Sequence, residues 1–311
     1  MSSESSPGWP DVEVLFADLV DGFGDIADLA IPFASLPGRA RKAYPGHYRL
    51  WSDLAGLTIG DLLVHKPGER TVAALLAAAR REVAAYREAL CREPESAAQA
   101  CARLLNVFDD RDRLVVTGRI IARDPLSQPE VARRAGANNA TWVVRHQPRI
   151  AARLAELLAH PAHVDVVRYA QRLHECLGPY APATAADTHL LGLGVQPTSA
   201  AGDLLLHVAG PYTPDGLWLQ TESGRERVEA TRQRLYDRVP APDMASLLEA
   251  FGDVGMPTPL VPAYLATLDL ARIDGTYVQW SERLIDQIEA ILHAWARPAT
   301  AADVHRKLGK Y

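Results

Sequence analysis

The stretch SQPEVARRAGANNATWVVRHQ, residues 127–147, carries a helical pattern that stops at one glycine and starts again. Ser127 stands three residues before Glu130, the spacing of a capped helix start, and Val131, Ala132 and Ala135 continue the segment. Gly136 supplies the turn, and Trp142, Val143 and Val144 open a second helix. Two short helices joined through a glycine are the outline of a helix-turn-helix, whose second helix lies in a DNA major groove. A chain built around this motif must place positive charge beside the turn, because phosphate contacts dominate affinity.

The charge is placed that way. From Arg111 to Arg153, the arginines at 111, 113, 119, 123, 133, 134, 145, 149 and 153 face only Asp112, Asp124 and Glu130, in a chain of net charge −5. An acidic total argues against indiscriminate coating of nucleic acid, which needs a strongly positive field. It leaves room for one basic face. Candidate DNA-binding residues are Arg133, Arg134, Asn138, Asn139, Thr141, Arg145, His146 and Arg149. Asn138, Asn139 and Thr141 stand where the second helix meets base edges; asparagine pairs with adenine, and Arg145 reaches guanine or a phosphate. Two features narrow this face. Pro148 falls inside or at the end of the second helix, where it removes a backbone donor. The apolar triplet Trp142-Val143-Val144 could equally bury against a neighbouring domain.

The whole reads as mainly α, a multi-module helical protein with a helix-turn-helix and C-terminal winged-helix units carrying small β-hairpins. Its 311 residues, 48% hydrophobic, suffice for two or three domains. Residues 1–48 form a tail and amphipathic helices, with Val14, Leu15, Leu19, Phe23, Ile26 and Leu29 at helical spacing. Residues 49–96 are compact helices with Thr58 and Thr71 as N-caps around a KPGER turn. In that turn Lys66, Gly68, Arg70 and Thr71 are candidates to hold a phosphate on the next helix's N-terminus, set against the plainer reading of an ordinary helix–helix turn. Residues 97–178 contain the helix-turn-helix, with Asp109 and Asp110 opening a helix as its dipole prefers.

Residues 179–202, rich in Pro, Ala, Thr and Gly, are expected to be a linker and the domain boundary. Residues 203–280 form a winged-helix-like unit. Within it DLLLHVAG and DGLWLQ read as short strands, 225–238 as a charged helix, 245–251 and 259–268 as a helix pair, and Asp274-Gly275 as the turn of a tight hairpin. Residues 281–311 begin another unit, with Ser281 and Thr300 as caps.

On the helix DDRDRLVVTGRII, the Ser-capped helix, the Gly136 turn and the helix behind it, residues 109–158 resemble region 4 of sigma-70-type transcription factors. LAGLTIGDLLVHKPGERTVAALL resembles the paired short helices in the C-terminal domain of the alpha chain of RNA polymerase. Residues 280–308 resemble the first half of the HARE-HTH winged-helix module. The resemblances imply double-stranded DNA as partner, with RNA polymerase or another protein subunit as a second. They also imply a role in transcriptional regulation or a defence-associated complex. The alternative is an adaptor or scaffold that uses degenerate helix-turn-helix folds to bind protein.

Catalytic signatures are missing. There is no Gly-x4-Gly-Lys-Ser/Thr loop, paired CxxC or HExxH, and Gly192-Leu193-Gly194 is too short for a dinucleotide fingerprint. His160, His163, Asp165, His174 and Cys176 offer zinc-ligand types, but His163 and His174 lie three helical turns apart, too far to share an ion. No catalytic residue, metal or cofactor is expected. Cys91, Cys101 and Cys176 are odd in number and unpatterned, and the first residues lack a basic, apolar leader. No apolar run approaches the roughly 20 residues that span a bilayer. The expectation is a cytoplasmic protein, nucleoid-associated when on DNA, with no membrane contact.

Overall fold

The computed structural model describes residues 10–44, 48–64, 68–238, 245, 247–248, 251 and 255–310, with side chains omitted at 234–238. It is mainly helical, and among the described residues its sheets have only three and two strands. Two compact units divide it, Met1–Arg168 and Tyr169–Tyr311.

The first unit opens with short 3-10 turns, Ala17–Leu19 and Phe23–Ile26, where helical spacing had suggested longer amphipathic helices. Gly22, left-handed at φ +76°, interrupts the run before a helix can lengthen. Phe23 and Ile26 still reach the interior. Helices α1 (Gly38–Ala43), α2 (Ile59–Val64) and α3 (Glu69–Cys91) follow. Thr58 caps α2 as expected: its Oγ1 accepts the Asp61 amide at 3.1 Å, and Asp61 accepts the Thr58 amide at 2.9 Å. One buried cluster joins Phe16, Ile26, Tyr44, Trp51, Leu54, Ile59, Leu75 and Val83, so residues 1–48 and 49–96 share a core. Trp51 stacks on Phe16 at 6.3 Å.

Helices α4 (Ala97–Leu105) and α5 (Asp110–Val115) come next, capped by Ser96 and Asp109. A π-helical turn, Val116–Ile120, continues α5. Then α6 (Gln128–Arg134) and α7 (Ala140–Ala159) form the expected pair, capped by Ser127 and Asn139. Pro148 does not end α7. Its missing donor is tolerated because it sits exposed on the solvent side, while Val143, Ile150 and Leu154 bury the opposite face. A 3-10 turn, Pro161–His163, leads into α8 (Val164–Leu177), within which the division between the units falls.

In the second unit, residues 179–202 are not a linker. They form strand β1 (Tyr180–Pro182), helix α9 (Ala183–Gly192) and the start of α10 (Ala200–Ala209). DLLLHVAG, expected as a strand, is therefore the body of a helix. Ser199 caps α10 through the Gly202 amide at 3.1 Å, and Leu204, Leu205 and Leu206 are all buried. A short run buried on every side has no period that separates strand from helix. Strands β2 (Thr213–Asp215) and β3 (Trp218–Gln220) complete an antiparallel sheet in the order β1-β3-β2.

The charged helix α11 (Gly224–Arg238) and the short α12 (Val261–Leu265) pack with Leu247 and Phe251 around Tyr264. Most of the expected 245–251 helix lies outside the described residues. The expected hairpin is present as β4 (Leu270–Ile273) and β5 (Thr276–Gln279), with positive φ at Asp274 and Gly275, as a type I′ turn requires. Its alternation serves two cores. Leu270 and Tyr277 pack against the Tyr264 cluster, while Ala271, Ile273 and Val278 join Ala290, Ile291 and Val304 of the last helices, α13 (Leu284–Trp295) and α14 (Ala301–Leu308). The hairpin thus belongs as much to residues 281–311 as to 203–280. Thr300 caps α14 as expected, whereas Ser281 lies outside α13 and accepts the Arg283 amide instead.

Candidate nucleic-acid interface

Gly136 turns α6 into α7 with φ +63°, a conformation that costs an L side chain steric strain. The Ala137 amide closes the turn on Ala132 O at 2.9 Å. Asn139 Oδ1 then accepts the Trp142 amide at 3.3 Å. The Asn139 side-chain carbonyl thus caps the helix. Asn138, Thr141 and Arg145 remain exposed around the same helix start. Together with Arg111, which sequence reasoning had counted as charge but not as a site residue, they line an open depression of about 490 Å³. Arg111 Nη2 lies 3.8 Å from where a Gly136 side chain would begin. Only the packing of α5 behind the turn brings it there, so no local spacing announced it.

His146 completes the depression. Its Nδ1 donates to Trp142 O at 2.8 Å, and its ring stacks on Trp142 at 4.7 Å. The imidazole is therefore committed to its own helix on one edge.

The arginines divide sharply. Arg133 gives two bonds to Glu130, 2.9 and 2.7 Å, and Arg134 gives one at 2.6 Å. These hydrogen bonds hold the Glu130 carboxyl down at about 2. Arg149 donates to both oxygens of Asp112 at 2.9 and 2.7 Å, and Asp112 is only 5% exposed. Its task is to tie α7 to α5, because a buried carboxylate needs a paired charge. Arg153 reaches Val107 O at 3.0 Å and lies over the Phe108 ring. Arg113 pairs with Asp110, and Arg119 bonds Gln147 and Leu126 O. Among the described residues, Arg111 and Arg145 have no ion pair.

Of the KPGER turn, the described residues are Gly68, Glu69 and Arg70. Lys66 lies outside the described residues. Gly68 is the N-cap of α3, Arg70 is exposed, and Thr71 is buried in the first helical turn. Of the histidines considered as metal ligands, His163 is buried against Arg103 Nη1 at 3.1 Å. Burial first, then the arginine, pushes its pKa down to about 3. Among the described residues no three His, Cys, Asp or Glu side chains converge on a metal-sized site. No helix among them is long and apolar enough to cross a membrane.

Fold and site together define a mainly helical protein in which two capped helices, α6 and α7, meet at Gly136 beside a small depression lined by Arg111 and Arg145. Comparison with protein-family models, curated proteins and solved structures finds no match for this chain.

Proposed function

We propose that the chain docks on double-stranded DNA through the corner of α5, α6 and α7, without bond chemistry. Arg111 and Arg145 take phosphates, while Asn138 and Thr141 stand nearest the base edges. The supporting observation is the convergence of these four exposed residues on one depression at the start of α7. Arg133 and Arg134 join them by exchanging Glu130 for phosphate, since exposed ion pairs are weak. Asn139, His146 and Arg149 serve the shape of the motif. The biological setting consistent with this reading is transcriptional regulation or a defence-associated complex.

A second reading has its own support. Val144 is 52% exposed beside a half-buried Trp142, an apolar edge suited to a protein partner such as RNA polymerase. Fluorescence anisotropy with a labelled duplex separates the two. On the DNA reading, Arg111→Glu and Arg145→Glu each weaken binding about tenfold, while Val144→Ser leaves it nearly unchanged. Duplex binding indifferent to both charge reversals overturns the DNA reading and favours the adaptor.

A further inference from the structure

A second cavity lies at the other end of α7, about 250 Å³ in volume, just below the roughly 300–1,000 Å³ of usual ligand pockets. Leu29, Pro32, Val107 and Leu157 give it apolar walls, and Glu82, Glu156 and His160 give it polar ones. The polar groups are fixed in place. Glu156 accepts the Ala34 amide at 2.7 Å and the Ser35 hydroxyl at 3.5 Å. His160 Nδ1 accepts the Ala162 amide at 3.1 Å, so the ring carries its proton on Nε2. That nitrogen lies 2.8 Å from Glu82 Oε2 yet off the line of a hydrogen bond, which leaves it buried and unsatisfied.

The charge is also unbalanced. Arg92 pairs with Glu88, and Arg103 pairs through Nε with Glu95 while its Nη1 meets His163 at 3.1 Å. Among the lining groups only Arg81, exposed at the rim, opposes Glu82 and Glu156. Burial, and then the nearby Glu82 charge, raise the Glu156 carboxyl above its ordinary value. Two carboxylates facing an apolar cleft are costly until a cation arrives.

We propose that this cavity binds a small organic ammonium ion with an apolar body, its nitrogen between Glu82 and Glu156 and its hydrocarbon against Leu29, Val107 and Leu157. An arylalkylamine is of suitable size. The site stands independently of DNA docking.

Isothermal titration of the full chain with 2-phenylethylamine, 3-phenylpropionate and 2-phenylethanol tests it. The amine should bind saturably, one per chain, and about tenfold or more tighter than the acid or the alcohol. Glu82→Gln and Glu156→Gln should each weaken the amine about tenfold, with circular dichroism and cooperative melting retained. Absence of saturable amine binding, or an acid or alcohol that binds as tightly, overturns the proposal. The three-ligand comparison on the unaltered protein decides the matter even where a variant fails to fold.

Discussion

Arg149 and Arg133 stand on the two helices that meet at Gly136 and each pairs with a carboxylate, yet the two pairs do opposite work. Asp112 is 5% exposed and grips Arg149 across 37 residues of sequence. Glu130 sits on the surface of α6 and holds Arg133 from three residues away. Removing the buried partner strands a charge in a poor solvent, whereas removing the exposed one returns a guanidinium to water. Identical residue types thus become a brace on one side of the motif and a reserve of mobile charge on the other.

The largest expected effect breaks the brace. Asp112→Ala should destabilise the first unit by about 3 kcal/mol in urea titration, because the Arg149 guanidinium loses its buried counterion. A loss near zero would mean that α5 and α7 are held by packing alone.

Next comes pH, through His163. Its folded pKa of about 3 lies below the ordinary value of 6.5, so the unfolded chain takes up the proton first. This contribution is full above pH 6.5 and declines as the pH falls from 6.5 toward 3. His163→Asn should flatten that part of the pH–stability curve. Unchanged curvature would show His163 to be solvated in the folded protein.

Gly136→Ala should cost about 1 kcal/mol, from positive φ alone, since the nearest atom leaves room for a methyl group. Thermal or urea unfolding measures it. Smallest in stability, yet informative on DNA, is Glu130→Gln. The melting midpoint should hardly move, and duplex affinity should rise severalfold as Arg133 and Arg134 are released. Unchanged affinity would confine the interface to Arg111 and Arg145.

What the sequence disclosed was local. Ser127, Thr58 and Thr300 cap helices where they were expected, because a cap needs only its own next turn. Gly136 and the Asp274-Gly275 hairpin were legible for the same reason. Hidden were choices that need a tertiary neighbour. The Asp112 partner, the approach of Arg111 to the turn and the survival of α7 past Pro148 all depend on which helix packs behind which. Thr71 was mistaken for a cap because Gly68, with no side chain to announce it, starts the helix earlier. The Leu204–Leu206 run was mistaken for a strand because all-round burial erases period. The cavity at Glu82, Glu156 and His160 draws on segments more than 70 residues apart and left no local pattern at all.

The salt dependence of duplex binding tests the central claim most directly, measured for the unaltered chain and for the Arg111→Glu/Arg145→Glu double variant. With two to four phosphates engaged, log affinity against log salt should fall with a slope between about −2 and −4 for the unaltered chain, and the double variant should lose most of that slope. Salt-independent binding by the unaltered chain, or equal slopes for the two proteins, would contradict it.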